Sequence, residues 1–218
     1  MRKWLSILFL LLLIIAGCSW TGSAGEKGSD SAAGGDSKEE QEESIKLDVD
    51  GTTYIIEQDN FPILWQFIHS SGNTEAAIEG LHYQEVTEDR YLIDFACRED
   101  VCSHLLISFE DEVSYLLSDL SERESIELSP EGGYAAFLFS RDVNGEKKHQ
   151  MTVVDMASLN PMELETADEY LLPRPDQYQY AIDSVTFMEE TLIQMKSESI
   201  PEEPGRESVT SLWKYGKE

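Results

Sequence analysis

The sequence predicts a mainly β domain, built of antiparallel three-stranded units, with one short helix near its N-terminal end. Three observations carry this. From residue 90 onward apolar and polar residues alternate at period two, the spacing that turns one face of a strand toward a core. The strand-like runs come in threes: YLIDFA (91–96), HLLISF (104–109) and VSYLLS (113–118); YAAFLFS (134–140), QMTVVDM (150–156) and MELET (162–166); YAIDSVTF (180–187), TLIQMK (191–196) and SVTSLWKY (208–215). Finally, Phe95, Phe137 and Phe187 hold comparable places in the three groups, 42 and 50 residues apart.

The domain occupies residues 44–218, and what precedes it reads differently. Arg2 and Lys3 lead into an apolar run from Trp4 to Ile15, broken only by Ser6, and small residues follow at Ala16 and Gly17. That is the layout of a secretory signal, and it is short for a membrane span of about 20 residues. The ending Ile15-Ala16-Gly17-Cys18 resembles the lipobox of bacterial lipoproteins. The resemblance implies that 1–17 is a removable signal peptide and that Cys18 becomes the lipidated first residue. The mature chain is then anchored through its lipid on the extracytoplasmic face of the bacterial cell membrane. An ordinary signal peptide or membrane anchor with a chance cysteine is the alternative. The rest of 18–43 is a flexible acidic linker rich in Gly, Ser and Ala, with too little apolar surface to offset its chain entropy.

Within the domain, Ile45 and Leu47 alternate, Asp50-Gly51 turns the chain, and Tyr54–Ile56 returns, a hairpin pattern. Asp48 to Gly51 is like the start of a calcium loop, but the later ligands are missing. The best helix runs over 60–71. Asn60 is placed to cap it and Pro62 sits in the first turn, while Phe61, Leu64, Trp65 and Ile68 fall on one face. That stripe reads as packing against a sheet. Gly72 ends the helix, and a second short one is compatible with 74–79.

Cys97 and Cys102 bracket a four-residue turn between two apolar runs. Facing positions of such a hairpin bring Cα atoms about 5 Å apart, and an exported compartment permits disulfides. A Cys97–Cys102 disulfide is expected, with free thiols or a redox pair as the alternatives. The spacing is not CxxC, and no second pair completes a zinc site.

The most specific stretch is Ser129-Pro130-Glu131-Gly132-Gly133-Tyr134-Ala135-Ala136-Phe137, continued by Ser140-Arg141-Asp142-Val143-Asn144-Gly145 and by Met151–Asp155. It resembles the repeat of TolB-type, WD40-like β-propellers. The local chemistry is plain: Pro130 fixes φ, the glycines permit a turn, and Asn144-Gly145 is a hairpin signal. The resemblance implies propeller blades, and a period of about 40–50 residues agrees with that. The other two copies lack the Ser-Pro-x-Gly turn, and closed propellers have about four to eight blades. Residues 44–89 are where a degenerate fourth unit would fall, but their helix argues against one. An open or stacked β assembly with a helix covering one end is the alternative, and a homodimer is one way to complete an open edge.

The formal charge is −27, and losing Arg2 and Lys3 makes it more negative. Such a field repels nucleic acid and anionic lipid and favours cations or a basic partner, or only keeps the chain soluble. His69, His82, His104 and His149 show no ligand spacing, and no nucleophile elbow, phosphate loop or metal motif stands out. No catalytic residue, metal or cofactor is therefore assigned. Carboxylate pairs such as Glu189-Glu190 fall at turns. In LLPRPDQYQYAID (171–183), Arg174, Tyr178 and Tyr180, with Tyr170 and Trp213, combine as interface hot spots do. The bland reading of this stretch is a loop whose tyrosines alternate into the core. The expected function is a non-catalytic binding or scaffold module for a protein or peptide partner at the cell envelope. A small-ligand or cation sensor, and a cell-envelope hydrolase with an unrecognised site, are the alternatives.

Overall fold

A computed structural model describes residues 44–167, 174–198 and 208–215. The expected signal peptide (1–17), Cys18, the expected linker up to residue 43 and Tyr170 lie outside the described residues. Strands β1 (Ile45–Val49) and β2 (Thr52–Ile56) form the expected hairpin, with Ile45, Leu47 and Val49 turned inward. Asp50 and Gly51 make its turn at φ 51° and 84°, left-handed backbone that Gly adopts freely and Asp tolerates. Helix α1 (Pro62–Ser70) starts on Pro62, whose missing N–H breaks no helical bond. Its N-cap is Phe61, without a side-chain cap, and not Asn60. Burial places Phe61, edge-on to Phe109. A second helix, α2 (Thr74–Glu79), follows it over the residues that the sequence left open to one. Ala76 N–H donates to the capping Asn73 Oδ1 at 3.2 Å.

Strands β3 (His82–Thr87), β4 (Arg90–Arg98), β5 (Val101–Ser108), β6 (Val113–Leu128), β7 (Tyr134–Val143) and β8 (Glu146–Asp155) form one antiparallel sheet in chain order. Strands β9 (Glu165–Thr166), β10 (Ile182–Glu189), β11 (Leu192–Glu198) and β12 (Ser208–Lys214) form a four-stranded sheet in the order β10-β11-β12-β9. The protein is thus mainly β and antiparallel, with sheets of two, six and four strands, and among the described residues they close no propeller ring.

Two of the expected three-stranded units are not separate. Strand β6 runs on past Ser118, pairing β5 with its first half, up to Ser121, and β7 with its second half, from Glu122. The change of partner falls beside Leu120, which has φ 46° and is 56% exposed. Residues 119–125 are nearly all polar, so no apolar alternation marked them as strand. The expected strand MELET (162–166) is also reassigned. Only Glu165 and Thr166 pair, and they pair with β12 of the other sheet. Pro161, which has no N–H to donate, makes only an isolated bridge to Val154.

Alternation divides the interior into layers. In β4 and β5, Tyr91, Ile93, Phe95, Leu105 and Ile107 face a core shared with α1 and the β1–β2 hairpin. Leu92 and Leu106 face the opposite way, into a second core with Phe137, Phe139 and Val154 of β7 and β8. From β7 and β8, Ala136, Leu138, Met151 and Val153 then face a third core with Ile182, Val185, Ile193, Met195 and Trp213. Strands buried on both faces read as nearly continuous apolar runs, as YAAFLFS does. The small Ala135 and Ala136 lie on opposite faces of β7, one toward each core. The Ser129-Pro130-Glu131-Gly132-Gly133 turn is gripped from the four-stranded sheet. Ser129 Oγ donates to Glu190 Oε1 (2.8 Å) and Glu131 N–H to Glu190 Oε2 (2.9 Å). A Cβ on Gly133 would sit 2.8 Å from Glu190 Oε1, so only glycine leaves room for this carboxylate.

Candidate functional site

A groove of about 490 Å³ lies over the end of the six-stranded sheet at the β4–β5 hairpin. Strands β3 to β6 and the start of β8 contribute to it, through His82, Asp94, His104, Glu122, Arg123, Glu124 and Lys147. Local structure builds one wall. Phe95 pairs with Ser103 and Arg98 with Val101, so Ala96 and Cys97 together oppose Cys102. This is a bulge, with Ala96 at φ 52°. It sets Cys97 across from Cys102, with Cα atoms 4.1 Å apart and sulfurs at the bonding distance of 2.19 Å. The turn itself is the two residues Glu99 and Asp100, not the four that the sequence suggested, because pairing continues through Arg98 and Val101. Both turn residues are exposed at the groove's rim.

At the floor, His104 is 1% exposed. Its Nδ1 lies 2.6 Å from Asp94 Oδ1 and its Nε2 2.9 Å from the Ser121 carbonyl oxygen. Arg123 donates to the other oxygen of Asp94 at 3.3 Å and to Gln84 Oε1 at 2.6 Å. The Asp94–His104 pair is half of a proton relay, but its far nitrogen faces a carbonyl and not a nucleophile. The nearby Ser121 hydroxyl donates instead to Ser118 Oγ at 2.8 Å. The arrangement therefore holds the ring in position, with both of its nitrogens engaged by protein oxygens.

Beside it, Lys147 binds Glu124 at 2.5 Å and Glu122 at 3.2 Å. Burial pushes the Glu124 carboxyl up, but the hydrogen bonds from Lys147 and Ser140 outweigh this and hold it below the usual carboxylate value. The hydrogen bond to Glu124 raises Lys147 in turn. Asp94, Glu99, Asp100, Glu122 and Glu124 outnumber the fixed cations Arg123 and Lys147, so the groove is net acidic. Among the described residues, no three of His, Cys, Asp and Glu converge as metal ligands.

The expected aromatic interface is not assembled. Trp213 is 2% and Tyr180 7% exposed, both in the third core. Trp213 Nε1–H donates to Ser211 Oγ at 2.9 Å. Tyr178 packs on the second core, shares a 2.6 Å hydrogen bond with Ser118, and lies 4.3 Å under the Arg141 guanidinium. Arg174 alone is exposed, and it pairs with Glu163 and Asp176. The tyrosines turn inward from a segment of turns and bends, as the loop reading of this stretch has it, and their burial tells against the interface reading. Conversely, Asp94, Arg123 and Lys147 drew no notice in the sequence. One signal was available: Asp94 interrupts an apolar run and pairs directly with His104. Finding it required the bulge that sets the register.

No family model, curated protein or solved structure matches the chain.

Proposed function

We propose that this chain is a non-catalytic binding module, held on the extracytoplasmic face of the cell membrane by a lipid on Cys18 and spaced from it by the 18–43 linker. The partner is a protein or peptide, and the groove beside the Cys97–Cys102 hairpin is where it docks. The observation that carries this reading is the acidic rim of that groove, Glu99 and Asp100, on a hairpin braced by the disulfide. A rigid rim lowers the entropy lost on binding, and its charge favours a basic segment and steers its approach. In fold terms, the layered sheets are read as propeller-like units stacked face to face. The Ser129–Gly133 turn is the best-kept piece of that repeat.

The test is a cross-linked pull-down from native membranes with the full tagged chain, beside a Glu99→Lys, Asp100→Lys double variant. Both positions are exposed, so the fold is expected to survive. One stoichiometric partner with a basic segment, lost in the variant and weakened by salt, is the expected result. A partner that binds both forms equally, or no partner with the chain plainly on the membrane, overturns the groove as a docking site.

A further inference from the structure

We propose that the contact between β8 and the start of β10 is an acid-released joint, in which the His149 imidazole is the pH-sensitive acceptor. The joint links the six-stranded sheet to the four-stranded one, independently of what the groove binds. His149 N–H donates to the Tyr180 carbonyl at 2.9 Å. Two residues on, Ile182 N–H donates to His149 Nδ1 at 3.1 Å. Between them, Ala181 N–H donates to Glu198 Oε1 at 2.9 Å, and Glu198 N–H returns a bond to the Ala181 carbonyl. Two successive amides at this crossing thus end on titratable side chains, where a strand ladder would offer backbone carbonyls.

The chemistry of the two acceptors differs. A carboxyl group keeps an acceptor oxygen in either protonation state. An imidazolium carries N–H at both nitrogens, so neither a tautomer change nor a ring flip restores an acceptor. Protonating His149 therefore sets two donors against each other. It does so where His149 is 9% and Ile182 3% exposed, and a buried amide without a partner destabilises its surroundings. The charged groups facing the ring come from four strands. Glu124 of β6, Asp183 of β10 and Glu198 of β11 favour the imidazolium, and Lys147 of β8 opposes it. Burial outweighs them and holds the ring's pKa below the ordinary histidine value. The ring is thus a neutral acceptor at neutral pH, and acid below the ordinary histidine range removes it.

Hydrogen exchange at the Ile182 amide tests this, using the full chain in detergent micelles and correcting for the intrinsic rate. Protection is expected to fall about tenfold or more as pH drops from about 7.5 to below the ring's own titration, which its nitrogen shifts locate. In His149→Asn, whose side-chain oxygen accepts without titrating, protection is expected to stay level. If that variant does not fold, the ring nitrogen shifts of the wild-type chain decide. Nδ1 should be unprotonated at about pH 7.5 and should gain its proton in step with the loss at Ile182. Unchanged protection across the range overturns the proposal. So does an equal loss in His149→Asn, or a ring titration out of step with exchange.

Discussion

Among the described residues, two of the contacts that hold the six-stranded and four-stranded sheets together use opposite chemistries. At one, the Glu190 carboxylate from the β10–β11 turn takes two hydrogen bonds from the Ser129–Gly133 turn. At the other, the His149 imidazole takes one from the Ile182 amide. The first grip keeps an acceptor at every pH, while the second loses its acceptor on protonation. The same mechanical task, joining two layers across a shared core, is thus served at one contact by a fixed clasp and at the other by a switchable one. Sequence position does not reveal which is which, since both residues look like ordinary turn or strand-edge polars.

The core beneath both places offers the largest test. Trp213 lies between the layers with Leu138, Val153, Ile182 and Ile193. Trp213→Ala is expected to destabilise the domain by about 3–5 kcal/mol and to loosen both grips together. Urea denaturation reads the first effect, and exchange at Glu131 and Ile182 the second. If only one site loosened, the two would not share a core in the sense described.

Next comes the fixed clasp. Glu190→Ala should destabilise the domain by about 1–2 kcal/mol, because two donors lose their acceptor. Gly133→Ala should do nearly the same, because its Cβ displaces that carboxylate. The two changes should not add: in the Glu190→Ala background, Gly133→Ala should be almost neutral. Full additivity in a double-mutant cycle would mean that the glycine serves its own backbone and not the carboxylate.

The smallest effect belongs to the switchable side and appears only with pH. The unfolded chain takes up a proton on His149 near pH 6.5, and the folded chain only at a lower pH, because burial disfavours the imidazolium. Between those values the unfolded state binds more protons, so stability falls as pH falls. His149's contribution is complete above about pH 6.5 and is lost as pH drops through the folded value. Denaturation midpoints measured stepwise from about pH 7.5 downward should fall in the wild type and stay level over this window in His149→Asn. The lowered pKa values of Glu124 and Glu198 act in the same direction at lower pH.

Much of the fold was legible. The β1–β2 hairpin, α1, and the strands of YLIDFA, HLLISF, YAAFLFS and TLIQMK stand where their alternation puts them. They are the segments in which side-chain pattern and burial agree. Strand β3 was missed because four of its six residues are exposed and carry no inward stripe. The second half of β6 was missed because backbone pairing to β7 holds a polar segment in place. Of the groove, the Cys97–Cys102 pairing was legible and the Asp94–His104 contact was not. A one-residue bulge decides which side chains meet, and its left-handed Ala96 leaves no mark in composition.

The sequence alone determined a mainly β domain, its local hairpins and helix, its acidic balance, and the two cysteines that meet, because these depend on short-range spacing and on totals. Only the tertiary structure decided that β6 serves two partners, that Tyr180 and Trp213 lie inside, and that Asp94, Arg123 and Lys147 share a groove. It also decided that His149 accepts the Ile182 amide. Each of these joins residues distant in the chain, and long-range contacts are selected by the burial and register of whole layers rather than by any residue's own preference.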